Sequence, residues 1–197
     1  GMAAIAAVLL AELQAGDHVL IVRELYGKTH ELVLSGWQRL GVDSSIVDPE
    51  SLASLDESRR QTTKILAVET ISNPMLRVAD LQSLANWCQK HSIRLVVDNT
   101  FATPLLSQPL QAGADYVVES LTKFINGHSD VVAGLICGRG DLGERINQVI
   151  SCWGLVSSPM DCWLAERGMA TLEVRWDRAE TNAAAAAKLL AASNSVA

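Results

Sequence analysis

Polar side chains follow four apolar runs of the sequence, at the points where each run stops. They lie within residues 24–27, 69–74, 98–100 and 120–123. Ligands of open α/β sheets bind beyond the carboxyl ends of parallel strands, so we expect these side chains to meet at one edge of a sheet. A carboxylate, an aromatic ring, a carboxamide, hydroxyls and an amine would then converge. This set suits an anionic, aromatic ligand that carries a carbonyl group.

Pyridoxal phosphate is a ligand of this kind. Its aldehyde needs a lysine for a Schiff base, and its ring nitrogen needs a carboxylate to stay protonated and act as an electron sink. Lys123 and Asp98 are the candidates for these two roles. Ser120 and Thr122 flank the lysine, where their hydroxyls can donate to phosphate oxygens. The sequence therefore predicts a pyridoxal phosphate site centred on Lys123.

Four further residues complete the predicted site. Gly1 and Met2 offer backbone amides at the start of a predicted helix, where the helix dipole favours an anion. Tyr26 is a candidate to stack on the cofactor ring, and Asn73 is a candidate to hydrogen-bond its phenolic oxygen. The role of Glu69 has two interpretations: it is a charge at a strand end with a structural partner, or it is a functional carboxylate.

Short apolar runs alternate with helical spacing along the chain. The runs that predict strands cover residues 19–22, 46–47, 65–68, 95–97, 116–118 and 131–136. Helical spacing covers residues 29–40, 52–58 and 78–89, and Asp80 is a start signal for the last of these. This alternation predicts an α/β fold, a three-layer sandwich with a mostly parallel central sheet. Because the runs are apolar throughout, we expect helices on both faces of the sheet.

The pattern changes near Pro159 to one that is typical of a continuous helix, with Gly168 as its obvious weak point. We expect residues 1–157 to form a ligand-binding large domain. Residues 158–197 then form a long helical segment that leads toward a further, C-terminal domain.

Composition excludes several classes of protein. The chain has 197 residues, of which 49% are hydrophobic and 19% charged, and its formal net charge is −6. Nucleic acid is therefore not the expected partner. No apolar run approaches the roughly 18 residues needed to span a bilayer, so we expect a soluble protein without a membrane partner. No signal peptide is recognised, and we expect a cytoplasmic location.

Four cysteines, Cys88, Cys137, Cys152 and Cys162, stand far apart and form no Cys-x-x-Cys pair. Histidines do not cluster near them at zinc spacing, so we expect no metal site. We interpret all four as reduced, mostly buried thiols.

Six segments of the chain resemble the cystathionine gamma-synthase family of pyridoxal-phosphate enzymes of Cys/Met metabolism. They cover residues 1–5, 26–27, 69–74, 97–104, 120–123 and 127–134, in an order and spacing that span nearly the whole chain. The resemblance implies fold type I, the aspartate-aminotransferase-like large domain, with pyridoxal 5'-phosphate as cofactor. It also implies that Lys123 forms the Schiff base and that Asp98 faces the ring nitrogen.

The same resemblance implies a reaction of transsulfuration. A small-molecule amino acid, namely cystathionine, methionine or an activated homoserine, would undergo elimination or replacement at its β or γ carbon. Lys123 would move the α-proton, with its pKa lowered by burial beside the positively charged imine, and Tyr26 would protonate the departing thiolate.

Family membership would also imply a homo-oligomer, a dimer of dimers in the full-length enzyme. Relative to the family pattern, the sequence begins inside the phosphate motif and ends before the small C-terminal domain. The alternative hypothesis is therefore a truncated, non-catalytic remnant of such an enzyme.

Two other motifs have competing interpretations. Residues 138–143 match a dinucleotide-binding fingerprint, but no acidic strand end follows at the required distance, so we expect a hairpin or loop turn. His128, Ser129 and Asp130 have the residue types of a hydrolase triad. Adjacent positions in one loop cannot supply the geometry of a triad, and we expect hydrogen bonds within the loop instead.

Overall fold

A computed structural model of the protein describes residues 1–193. Within this range the strands are β1 (His18–Val22), β2 (Asp43–Val47), β3 (Thr63–Glu69), β4 (Arg94–Asp98), β5 (Tyr116–Ser120) and β6 (Gly134–Gly138). The α-helices are α1 (Met2–Glu12), α2 (Gly27–Glu31), α3 (Leu52–Ser58), α4 (Leu81–His91), α5 (Thr103–Leu106), α6 (Pro109–Ala112), α7 (Leu142–Trp153), α8 (Pro159–Met169) and α9 (Leu172–Ala191). A π-helical turn (Leu32–Trp37) and a 3-10 turn (Gln38–Leu40) extend α2.

One sheet contains all of these strands, in the order β2-β1-β3-β4-β5-β6. Every neighbouring pair is parallel except β5 and β6, which are antiparallel. Glu69 on β3 pairs with Asp98 on β4, and Asp98 pairs with Val118 on β5. The parallel strands therefore end at one edge, and the predicted α/β fold with a mostly parallel sheet is confirmed.

The predicted strand at residues 131–136 begins three residues later than expected, at Gly134. Val131 packs instead with Leu121, Ile125 and Ala165 in a small cluster separate from the main core. The backbone before the strand also makes a hydrogen bond outside the β5–β6 ladder, since the Ala133 carbonyl accepts from the Leu121 amide (3.1 Å). Local packing therefore displaces the start of β6.

Burial along the strands shows that the sheet is covered on both faces. All five residues of β1 are buried, as are Ile65–Glu69 on β3. Successive strand residues point to opposite faces, so continuous burial requires cover on both sides. Helix α1 contacts β5, β6 and α7, while α4 contacts β4 and α6.

The starts of α3 and α4 are stabilised by side-chain caps. Asp80 accepts from the Ser83 amide (3.0 Å) at the start of α4, as its position before the helical spacing predicts. Ser51 accepts from the Ser54 amide (3.2 Å) at the start of α3. Each cap satisfies an amide that the helix itself leaves without a partner.

The prediction of a continuous helix from Pro159 is wrong at one point. The helix is interrupted between Met169 and Leu172, so α8 and α9 are two separate helices. Gly168 lies against the Asn126 carbonyl so closely that an added Cβ would stand 2.5 Å from it. This close approach fixes the end of α8. The division of the chain after residue 157 remains a prediction, and residues 194–197 of its second segment lie outside the described residues.

The cysteines differ in part from the expected pattern. Cys88 is buried and Cys137 is partly buried, but Cys152 and Cys162 are exposed on α7 and α8, so the prediction of mostly buried thiols is wrong. Both helices leave one face uncovered in this chain, and the apolar spacing does not show which face that is. Burial raises the pKa of the Cys88 thiol to about 12. All four thiols are free.

None of the described helices combines the length and apolar character needed to cross a membrane. Across residues 1–193, His, Cys, Asp and Glu side chains form no group of three suited to a metal ion.

His18 is a buried histidine that links three strands. Its Nδ1 lies 2.8 Å from Thr63 Oγ1 on β3, and its Nε2 lies 3.0 Å from Ser45 Oγ on β2. Burial lowers the pKa of His18, and the Arg60 guanidinium lowers it further, while Asp43 opposes the shift. The folded state therefore holds this imidazole in its neutral form more strongly than the unfolded chain does.

This burial predicts an acid-sensitive contribution to stability. A lowered folded-state pKa means that the unfolded chain binds more protons as the pH falls below its own histidine pKa of about 6.5. The contribution is thus present above that pH and is lost below it. Urea unfolding from pH 7.5 to 5 should show a steeper loss of unfolding free energy for the wild type than for His18→Gln. His30→Gln, on a half-buried surface histidine, is the control, and equal slopes for wild type and His18→Gln would contradict the prediction.

Candidate active site at the carboxyl ends of the strands

A cavity of about 1190 Å³ opens at the edge where the parallel strands end. The start of α1, the ends of β3 and β4, and the turn after β5 surround it. All eight residues predicted from the sequence line this cavity, namely Gly1, Met2, Tyr26, Asn73, Asp98, Ser120, Thr122 and Lys123. Residues far apart in the sequence are therefore brought together in one place, and their individual roles stay predictions.

The first turn of α1 forms one wall of the cavity. Gly1 is the N-cap of this helix, and its nitrogen donates to the Ala133 carbonyl (2.7 Å). The close approach requires a glycine at position 134, because an added Cβ there would lie 2.6 Å from the Gly1 nitrogen and 2.8 Å from the Ala4 Cβ. Helix α1 has no acidic residue in its first turn, so no side chain of the helix itself neutralises the positive end of its dipole.

Two hydroxyls stand beside this helix start. A Cβ built on Gly1 would lie 3.1 Å from Ser120 Oγ, which places that hydroxyl against the first turn. Thr122 Oγ1 donates to the Ala133 carbonyl (3.4 Å). Backbone amides at a helix start together with hydroxyl donors form an arrangement suited to an anion such as a phosphate.

Asp98, the last residue of β4, is held in place by Thr100. Its Oδ1 accepts from the Thr100 amide (3.0 Å) and from Thr100 Oγ1 (2.5 Å). Thr100 Oγ1 in turn accepts from the Ser120 amide (2.8 Å), which ties the end of β4 to the end of β5. Burial raises the pKa of Asp98, and the hydrogen bonds from Thr100 partly oppose this shift.

Sequence reasoning missed the role of Thr100 as the partner of Asp98. The signal was present, since Asp and Thr two residues apart at a strand end favour a local side-chain to backbone hydrogen bond. The bond from the Ser120 amide was not predictable in this way, because it joins residues 20 positions apart.

A second polar network lies behind the site and joins three strands. Thr70 Oγ1 donates to Asn99 Oδ1 (2.7 Å), and Asn99 Nδ2 donates to Glu119 Oε1 (2.8 Å) and to the Ser107 carbonyl (3.0 Å). Thr70, Asn99 and Glu119 are buried, and burial raises the pKa of Glu119 to about 7. The network fixes the strand ends next to Asp98.

Lys123 lies in the turn that follows β5. Its amide donates to the Ser120 carbonyl (3.2 Å), and its carbonyl accepts from the Gly127 amide (2.8 Å). The side chain lines the cavity but is exposed to solvent. The turn after β5 therefore brings the lysine to the cavity, and its role there stays a prediction.

Glu69 contacts the segment that carries Tyr26. Its Oε1 accepts from the Tyr26 amide (2.5 Å), and Glu69 itself is only 8% exposed. Burial, with a smaller contribution from the Asp98 charge, raises the pKa of Glu69 to about 7. Glu69 therefore has a structural partner. The same hydrogen bond holds the half-exposed Tyr26 at the cavity.

The two competing motifs have ordinary structural uses. His128 Nδ1 lies 2.6 Å from the Asn126 carbonyl, and Asp130 accepts from Asn126 Nδ2 (2.7 Å), as expected for hydrogen bonds within the loop. Residues 138–143 connect β6 to α7. A dinucleotide fingerprint requires a parallel βαβ unit, and β6 is antiparallel to its neighbour.

Comparison with known proteins places this geometry in a family. The sequence model of the family described as "Cys/Met metabolism PLP-dependent enzyme" matches residues 1–197. The chain belongs to this family. It is 41% identical over 191 residues to the cystathionine gamma-lyase of Bacillus subtilis (strain 168), a match that covers 96% of this chain and 50% of that protein.

Solved structures of other members of the Cys/Met metabolism family have the same fold. A cystathionine gamma synthase from Xanthomonas oryzae pv. oryzae, in complex with aminoacrylate and cysteine, matches with a TM-score of 0.95 at 38% identity, over 98% of this chain and 50% of that one. A putative O-acetylhomoserine (thiol)-lyase from Campylobacter jejuni, which contains N'-pyridoxyl-lysine-5'-monophosphate, matches with a TM-score of 0.92 at 28% identity, over 98% and 56% of the two chains. The chain spans about half the length of the relatives that it matches.

The family is PLP-dependent, and the residues of this cavity fit that cofactor. The lining includes the Lys123 amine, the Asp98 carboxylate, the Ser120 and Thr122 hydroxyls and the start of α1. Gly134 also keeps side-chain atoms away from the space beside Gly1. The amine suits the aldehyde of the cofactor, and the carboxylate suits its ring nitrogen. The hydroxyls and the helix start together suit its phosphate.

Proposed function

We propose that the full-length protein is a pyridoxal-phosphate-dependent enzyme of sulfur amino-acid metabolism. It catalyses elimination or replacement at the β or γ carbon of cystathionine, methionine or an activated homoserine. The observation that carries this proposal is the presence of Lys123, Asp98 and the α1 start around one cavity, in a chain of this family. Bound pyridoxal phosphate supplies the electron sink for this chemistry through a protonated ring and a Schiff base.

The phosphate end of the cofactor is assigned to the start of α1. The amides of Gly1 and Met2 and the hydroxyls of Ser120 and Thr122 would bind its oxygens, and the helix dipole favours their negative charge. The Gly1 nitrogen and the Thr122 hydroxyl would then exchange the Ala133 carbonyl for the phosphate as their acceptor.

Asp98 and Asn73 hold the two polar atoms of the ring. The Asp98 carboxylate would keep the ring nitrogen protonated, and the bonds from Thr100 to Oδ1 fix the orientation of the carboxylate. Asn73, on the cavity wall, donates to the phenolic oxygen. Tyr26 stacks on the ring.

Two side chains are assigned to proton transfer. The Lys123 amine would hold the cofactor and, when free, would carry the α-proton of the substrate. Tyr26 donates a proton to the departing thiolate, and its position depends on the contact between its amide and Glu69.

The protein is further proposed to be a cytoplasmic homo-oligomer, a dimer of dimers, that acts on a small-molecule amino acid. Several large apolar side chains are exposed, among them Trp153 (61%), Met160 (59%) and Trp163 (54%). Exposed apolar surface of this kind is typical of faces that another chain or domain covers. Free thiols at all four cysteines support a reducing compartment.

One experiment tests the proposed function directly. The full-length protein is incubated with pyridoxal phosphate, reduced with borohydride and digested, and the modified lysine is identified by mass spectrometry. We expect the adduct at Lys123, and turnover of at least one of cystathionine, methionine or an activated homoserine. Absence of any lysine adduct would contradict the proposal. Turnover by residues 1–197 alone would contradict the alternative hypothesis of a non-catalytic remnant.

A further inference from the structure

Arg175 on α9 binds the turn that carries Lys123. Its guanidinium donates to the carbonyls of Phe124 (2.7 Å), Ile125 (3.0 Å) and Gly168 (2.9 Å), and its Nε donates to Thr171 Oγ1 (3.1 Å). Two of these acceptors directly follow Lys123 in the sequence. The other two belong to the corner between α8 and α9, so a single side chain joins the corner to the turn.

The corner and the turn are packed without spare room. An added Cβ at Gly127 would collide with the Arg175 guanidinium, and one at Gly168 would lie 2.5 Å from the Asn126 carbonyl. Glycine at both positions is what allows this approach. The guanidinium is therefore confined to the position in which it reaches both carbonyls of the turn.

Aromatic contacts extend the same connection to the strand that carries Asp98. The Phe124 ring packs edge-on against Trp176, with ring centroids 5.6 Å apart, and against Phe101, with centroids 6.4 Å apart. Trp176 follows Arg175 on α9, and Phe101 follows Asp98 by three residues. Phe124 is thereby held from both sides.

We propose that Arg175 is a positioning residue for Lys123: by fixing the two carbonyls that follow the lysine, it sets the direction in which the amine enters the cavity. This inference rests on the proposed function of Lys123. Several carbonyls can be reached at once only by a rigid fork of N–H groups. A guanidinium provides this fork, and a lysine ammonium does not. Removal of the guanidinium leaves the turn free to rotate the amine away from the cofactor aldehyde.

The first arm of the test uses the full-length, cofactor-free protein. In Arg175→Gln, amide hydrogen exchange of Asn126 and Gly127 should be faster than in the wild type by about tenfold or more, because the turn opens locally. Arg178→Gln, on an exposed arginine of the same helix, is the matched control and should leave these rates unchanged. Unchanged exchange in Arg175→Gln would overturn the proposal.

The second arm measures covalent capture of pyridoxal phosphate by Lys123 with borohydride trapping. The maximal capture rate should fall roughly 10- to 100-fold in Arg175→Gln, since small misplacements of a reacting group have costs of that order. The cofactor concentration for half-maximal capture should stay constant, because the phosphate-binding groups are separate. Arg175→Lys, which keeps the charge and is milder if the glutamine variant does not fold, should be impaired as well.

The outcomes separate the possible failures. A lower urea stability together with an unchanged capture rate would mean that Arg175 is only structural, and it would overturn the proposal. Absence of an adduct at Lys123 in the wild type would instead refute the proposed function. The exchange arm would then still decide whether Arg175 fixes the turn.

Discussion

Replacement of Lys123 by alanine should remove the covalent attachment of pyridoxal phosphate and reduce turnover of the full-length enzyme by more than about 10⁴-fold. Proton transfer by a positioned side chain is alone worth about 10²–10⁴ in rate, and this variant loses the attachment point as well. The measurements are the visible absorbance of the reconstituted protein and kcat with the best substrate found. The phosphate-binding groups around Gly1 and Ser120 are untouched, so the variant should still bind the cofactor noncovalently.

A matched variant and a chemical rescue sharpen this experiment. Lys64→Ala, on an exposed lysine of β3, should retain attachment and activity. Added methylamine should restore part of the activity of Lys123→Ala if the missing function is proton transfer by an amine. An enzyme that keeps its adduct and full turnover without Lys123 would disprove the assignment.

Asp98→Asn should lower kcat by roughly 10²–10³-fold while the cofactor remains attached to Lys123. A neutral amide cannot hold the proton on the ring nitrogen, and loss of one preorganised electrostatic partner has an effect of that size. The substitution keeps the shape of the side chain, and its Oδ1 can still accept from Thr100. Adduct formation therefore serves as an internal check that the site remains folded.

The control for this variant is Asp141→Asn, on the exposed residue before α7 that makes no side-chain cap bond. It changes the net charge equally and should leave kcat unchanged. A full kcat for Asp98→Asn with the adduct intact would show that the ring nitrogen does not depend on this carboxylate.

Strands β1, β3, β4 and β5 were predictable because each coincides with a buried apolar run, as at residues 19–22 and 65–68, whereas the edge strands β2 and β6 are only partly buried. The antiparallel direction of β6 was not predictable, since an apolar run gives no information about strand direction. The delayed start of β6 depends on Val131, whose partners Ile125 and Ala165 lie elsewhere in the chain. Periodicity records which residues are apolar, but it does not record what they touch.

The site was largely predictable from strand ends, because parallel strands deliver their last residues to one edge. Asp98 and Lys123 line the same cavity for this reason. The contacts that orient them were not predictable. Arg175 reaches the Phe124 carbonyl across 51 positions, and nothing in the types or spacing of the two residues indicates that bond.

Exposure was the least predictable property. Cys152 and Cys162 are both exposed, although the sequence-based interpretation expected mostly buried thiols. Whether a side chain near a cavity or on a helix is covered depends on the neighbouring elements, and a helix such as α9 buries none of its residues within this chain.

The bond between the Gly1 nitrogen and the Ala133 carbonyl, 132 positions apart, has a consequence for biogenesis. The first turn of α1, on one side of the proposed phosphate site, is translated early in this segment. Ala133, on the other side, is translated only after most of the sheet. A nascent polypeptide released before β6 would lack the backbone against which the first turn of α1 rests. The proposed phosphate site can therefore form only after β6 has been translated.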